Sequence, residues 1–179
     1  MGHGARRPLG SPHAQQSRLT VAPLTRADVE ELLTIVGAIE GLSARGAAAR
    51  DTTKRKALGR QLRDANAEFR RVATSAPIDH GALYENDERF HRAIVELGAG
   101  PRLLSLHDAV KPQAERYIRM YITLLLDDIG SSVDEHEAII LAIESGDADR
   151  AEQTVETNWR HAADRLSKVI EMAGERGSW

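Results

Sequence analysis

From Thr25 almost to the C-terminus of this 179-residue chain, apolar residues recur every three or four positions, glycine and proline are thin, and no stretch alternates with period two. That spacing builds amphipathic helices and leaves no strand to start a sheet. The expected fold is all-α, a single antiparallel bundle of about six to seven helices, and the length suits one domain with one core. Residues 1–23 carry Gly, Pro, Ser, His and Gln without any period and read as a disordered leader or linker. Residues 24–173 read as the ordered domain and residues 174–179 as a C-terminal tail.

The helices can be placed by their caps and stripes. Thr25-x-x-Asp28 has the form of a capping box and opens a helix through Val29, Leu32, Leu33, Val36 and Ile39 to about Ala49. A second helix, Asp51 to Thr74, buries Leu58, Leu62, Phe69 and Val72, and is expected to pair with the first as a hairpin. Asp79 can cap a third, whose stripe Leu83, Asp87, Phe90, Ile94 and Leu97 puts a carboxylate in a core register. A fourth starts at Pro101, with Pro112 expected to bend it. The fifth has His136 among Val133, Ile140 and Ile143. After a turn at Gly146-Asp147 the sixth carries Val155, Leu166 and Val169, with Asn158 at the edge of its apolar face.

Three helices therefore aim polar side chains inward, and their spacing suggests one site. Asp87 and His91 lie one turn apart and about 40° apart in azimuth, so both reach the same point beside the helix. Across a hairpin about Gly146, His136 and Asn158 sit at rises of about 15 and 18 Å from the turn, which makes them neighbours. His161 lies farther along and points about 60° farther from the apolar stripe, so Asn158 is favoured over it as the fourth inward group, an order that a small shift of the hairpin would reverse. A buried, unpartnered Asp87 would cost several kcal/mol, and a divalent cation held by the carboxylate and two imidazoles would remove that penalty. One carboxylate, two imidazoles and an amide oxygen suit a divalent transition metal such as zinc, nickel or manganese, with positions left open for a small carboxylate. Arg116, on the flank of the fourth helix, is a candidate for a two-pronged grip on that acid.

Composition removes several other classes. A net charge of -3 leaves no basic surplus for phosphates. The absence of cysteine excludes disulfides and thiolate metal sites, and fits a cytoplasmic protein. No apolar run approaches the roughly 20 residues that span a bilayer, so no membrane role is expected.

Asn86-Asp87-Glu88-Arg89-Phe90-His91, followed by Glu135-His136-Glu137-Ala138-Ile139-Ile140-Leu141-Ala142-Ile143-Glu144-Ser145-Gly146-Asp147, resembles the FCD domain, the effector-binding domain of the FadR branch of GntR-type transcription regulators. The likeness runs from about Val21 to Ile170. It implies a helical bundle enclosing a cavity for a metal and a small carboxylate effector, the metal held by Asp, His, His and a third His. The first three fall on Asp87, His91 and His136. The matching fourth position is Asn158, a weaker ligand, for which His161 is the substitute. Arg116, Tyr117 and His161 are carried as effector-binding candidates. The family often places an inward arginine shortly before the pair that here is Ile39-Glu40, and this chain has Val36 there. Its Asn-Pro step after the third helix is Gly100-Pro101 here.

In such regulators a winged helix-turn-helix precedes this domain and binds DNA. Leu19-Thr20-Val21-Ala22-Pro23-Leu24 is similar to the segment just after it, and the chain as written has no recognition helix. The reading is thus a ligand-sensing domain, a regulator fragment or stand-alone sensor, expected to form a homodimer and to meet DNA only through a winged helix absent from these residues. The alternative is a metal-dependent enzyme acting on a small carboxylate or carbonyl substrate, which is weaker because no inward general base or nucleophile stands out. A di-metal oxidase would need a second Glu-x-x-His beside Glu88-x-x-His91, and the position three before His136 is Val133. A structural helical dimer without metal is the remaining class.

Overall fold

Thr25 opens the first helix, its Oγ1 accepting the Asp28 N–H at 3.2 Å. The structure is a computed structural model describing residues 25–124 and 129–174. It contains α1 (Arg26–Ala48), α2 (Thr52–Ala73), α3 (His80–Gly98), α4 (Pro101–Tyr121), α5 (Ile129–Ser145) and α6 (Ala148–Ala173), with a 3-10 turn at Ile122–Leu124. Among the described residues there is no strand, and no helix is long and apolar enough to cross a membrane. The expected leader, 1–23, and residues 175–179 of the expected tail lie outside the described residues.

The bundle is organised around α1, which packs against α3, α4, α5 and above all α6. Here the structure corrects one expectation: α1 and α2 follow each other in the chain but barely touch, and α2 instead covers α3 and α5. The physical reason lies in two faces of different breadth. α2 is charged apart from the single stripe Leu58, Leu62, Phe69 and Val72. α1 carries small residues at Gly37, Gly41, Ala44 and Ala48 on a buried side, and these let α6 come close. A Cβ on Gly37 would stand 3.0 Å from the Trp159 Cβ.

Two glycines fix the registers that the site depends on. A Cβ at Gly98 would lie 1.8 Å from the Ser43 carbonyl oxygen, so only glycine lets the end of α3 rest on α1. This contact sets α3 alongside the part of α1 that holds Glu40. Gly146, at φ 80°, closes α5. Its N–H reaches the Ile143 carbonyl at 3.1 Å and the Asp147 N–H reaches Ala142 at 3.2 Å, a Schellman turn. Asp147 at once caps α6 by accepting the Arg150 N–H. The result is the antiparallel α5–α6 pair that the sequence predicts.

Candidate functional site

Asp87 and His91, one turn apart on α3, meet His136 of α5, and one ligand atom from each falls within 4.8 Å of the others. Nε2 of His136 lies 3.5 Å from Oδ1 of Asp87. The protonation of His136 follows from its other nitrogen. Asn66 donates its amide Nδ2 to the Val133 carbonyl at 3.1 Å, which turns its Oδ1 towards His136 Nδ1, also at 3.1 Å. An amide oxygen can only accept, so Nδ1 carries the hydrogen and Nε2 presents a lone pair. That buried Nε2 has no hydrogen-bond partner.

Two acceptors thus face each other across the site, an arrangement that calls for a cation between them. A proton on His136 does not fill the need: burial, first, and the neighbouring His91 hold this imidazole well below its ordinary pKa. The ring is also fixed in place. It stacks on Phe90 with centroids 4.0 Å apart and tilts against Phe69 at 5.6 Å. An orphaned lone pair, an acidic oxygen and a second imidazole are donors of the type that hold a borderline divalent metal, and the residues present fit one.

His91 is oriented from behind by Glu40 of α1, the second residue of the Ile39-Glu40 pair. Its Nδ1 lies 2.7 Å from Oε2 of Glu40, a distance at which an N–H and not a lone pair faces a carboxylate, though the approach is too oblique for a well-formed hydrogen bond. Nε2 is left for the cluster. Glu40 is wholly buried and collects the Lys111 ammonium at 2.7 Å, the His107 Nε2 at 3.0 Å and the Trp159 indole N–H at 2.8 Å. Burial alone would raise its pKa, but Lys111 and the two imidazoles hold it well below the usual carboxylate range. The signal in the sequence is position: Glu40 follows Leu33 and Val36 at seven and four residues on the buried face of α1, while His107 and Lys111 are one turn apart on α4.

A cavity of about 90 Å³ opens beside the cluster. Asp87, His91, Asn158, Ser132 and Arg165 supply its polar wall, and Phe69, Leu83, Ile118, Trp159 and Leu166 much of the rest. His136 reaches Asp87 from behind this wall. Asn158 is buried and donates its Nδ2 to Oε2 of Glu135 at 2.7 Å. His161 is half-exposed, with Nδ1 2.8 Å from the other Glu135 oxygen, and lies outside both the cluster and the cavity wall. Arg165 completes the set around Glu135 at 3.2 Å. Burial pushes Glu135 upward, yet these donors keep its pKa below the ordinary value.

The remaining two candidates stand elsewhere. Arg116 is exposed on α4 and does not line the cavity. Tyr117 is buried at the start of α1, where its hydroxyl accepts the Thr25 N–H at 3.2 Å and donates to Asp28. Half of the expected capping box therefore forms, Thr25 Oγ1 accepting the Asp28 N–H, and the return contact is bridged by a tyrosine from another helix.

His136 also sets a pH dependence. The unfolded chain takes up this proton near pH 6.5 and the folded chain does not, so the unfolded state binds more protons and stability is lost as pH falls below that value. The expected slope for the metal-free protein is up to about 1.4 kcal/mol per pH unit, and Glu40 adds its own loss only below its usual 4.5. Urea unfolding at pH 7.5, 6.5, 5.5 and 5 checks this. A constant midpoint over that range would contradict the neutral, buried assignment.

The family model of the FCD domain matches residues 31–161, more than half of the chain, and spans all of Glu40, Asp87, His91, His136 and Asn158. No curated protein matches the chain.

Proposed function

Because the chain belongs to the FCD domain family, whose members are the ligand-sensing domains of GntR-type transcription regulators, we propose that its site senses a small organic acid with the help of a divalent transition metal. Asp87, His91 and His136 are the residues that would hold the ion, with Asn158 at the cavity wall as the fourth polar group. When bound, a zinc, nickel or manganese ion supplies Lewis acidity that attracts a carboxylate oxygen. The chain's own residues do the rest. Glu40 and Asn66 fix the two imidazole tautomers, Phe90 and Trp159 keep the rings apart from bulk water, and the cavity limits the size of the guest.

The observation that carries this reading is the unpartnered Nε2 of His136 facing Asp87, because a purely structural cluster would place a donor there. In the intact regulator, acid binding would bias one arrangement of a homodimer over another and thereby the operator affinity of a winged helix-turn-helix domain. Protein purified without added metal is expected to hold close to one transition-metal ion per chain by elemental analysis. A small carboxylate at about 100 times its Kd should then raise the thermal midpoint by about 5–10 °C. A metal-free preparation that takes up no zinc, nickel or manganese, and melts unchanged with every acid tried, would overturn the reading.

A further inference from the structure

Val36, where the family often has an acid-gripping arginine, is buried in the core of α1 and offers nothing to an anion. We propose that Arg165 of α6 takes over this task and restricts the site to short monocarboxylates. The proposal rests on the sensor reading above. Among the described residues, Arg165 is the one lysine or arginine lining the cavity. Its side chain is 15 % exposed, and it shares this wall with Asn158, two helical turns earlier on the same face.

The arginine is held loosely for so buried a group. Its two contacts to Glu135 measure 3.2 and 3.5 Å, whereas Glu135 has shorter bonds from Asn158 at 2.7 Å and His161 at 2.8 Å. Glu135 therefore keeps two good donors when the guanidinium turns away. A guanidinium has five N–H donors in a fixed fork, and a carboxylate in the cavity would meet it with two parallel hydrogen bonds.

Size and lining then set the class of acid. A volume of about 90 Å³ is far below the ~300 Å³ of the smallest typical drug-sized pockets and admits only a few non-hydrogen atoms. Apart from the polar wall, the guest meets Leu83, Ile118, Ile122 and Leu166. A second carboxylate would be buried against these side chains without a cation of its own, at a cost that excludes it. A short alkyl group fits there.

The test uses the whole chain loaded with nickel, melted in the presence of acetate, propionate, lactate, pyruvate, succinate, citrate and propionamide. The wild type is expected to be stabilised saturably by the monocarboxylates, and much less by succinate, citrate and the neutral amide. Arg165→Gln should retain its nickel yet need about 10- to 100-fold more acid for the same shift, the loss expected for one charge-assisted pair. Arg165→Lys, which keeps the charge but not the fork, should also be weakened, and it serves if the glutamine variant does not fold. A nickel-loaded Arg165→Gln with the wild-type acid response overturns the proposal and leaves the sensor reading standing. So does loss of the response in Arg116→Gln alone, or equal stabilisation by propionamide. A nickel-loaded wild type that no carboxylate stabilises overturns both.

Discussion

Replacing Glu40 with alanine is expected to cost the fold about 3–5 kcal/mol and to lower the thermal midpoint by about 10 °C. The carboxylate is wholly buried where α1, α3, α4 and α6 meet, and it is the counter-charge of Lys111, itself almost fully buried. Without it the ammonium is left in the core with only the Trp159 ring, 4.2 Å from its centroid, to face. The Trp159 N–H loses its acceptor too, and the two imidazole nitrogens that contact Glu40 lose theirs. Desolvation of an unpaired charge is the large part of this effect, so the pattern across variants is more telling than any single value. Lys111→Met should be milder, because the carboxylate it leaves behind still faces three N–H groups. The double variant Glu40→Leu with Lys111→Met should recover part of the loss, since replacing a buried ion pair as a unit removes both desolvation costs. Urea titrations at pH 7 measure all three. A Glu40→Ala protein within about 1 kcal/mol of the wild type would mean that the charge is hydrated and that the buried network is not what joins the four helices.

The parts of this architecture that could be read from the sequence are those in which one helix, or one short turn, decides the geometry. Asp87 and His91 share a face because helical pitch dictates it, and the Gly146 turn brings Asn158 across to α5, where its partner is Glu135, because counting rises from the turn suffices to that level. The rest depends on which helices choose each other. α1 and α2 were expected to pair because they are adjacent in the chain, yet the glycines and alanines of α1 admit α6 more closely. Glu40 lies on a legible apolar stripe, but its partners come from residues 51 to 119 positions away, and no local pattern announces them. Arg116 and Tyr117 differ by one position, about 100° of helix, and only the packed bundle turns one outward and the other towards the cap of α1. Arg165 shares the face of Asn158, but a charged residue beside a stripe reads as solvated until a cavity is seen next to it.

Substituting His136 with alanine is expected to lower metal affinity by more than about 100-fold, beyond the upper end of what loss of an outer partner costs. It removes a buried lone pair that has no hydrogen-bond partner, and it leaves Asp87 and His91 on one helix without an imidazole from across the bundle. Asn66→Ala is the sharper comparison, because it touches no ligand atom. Asn66 fixes which nitrogen of His136 carries the hydrogen by accepting at Nδ1, with its own amide anchored on the Val133 carbonyl. Once that acceptor is gone, the tautomer with hydrogen on Nε2 becomes available, and this one donates to Asp87 in place of offering a lone pair. Affinity should then fall by about 10- to 100-fold, with the ring still stacked on Phe90 and the helices in place. Competition with a chelator of known zinc affinity reads both losses, and circular dichroism at 222 nm checks that the bundle persists. Equal zinc affinity in the wild type and His136→Ala would place the ion elsewhere. A full-strength site in Asn66→Ala would show that packing against Phe69 and Phe90, and not the amide oxygen, decides how this imidazole is presented.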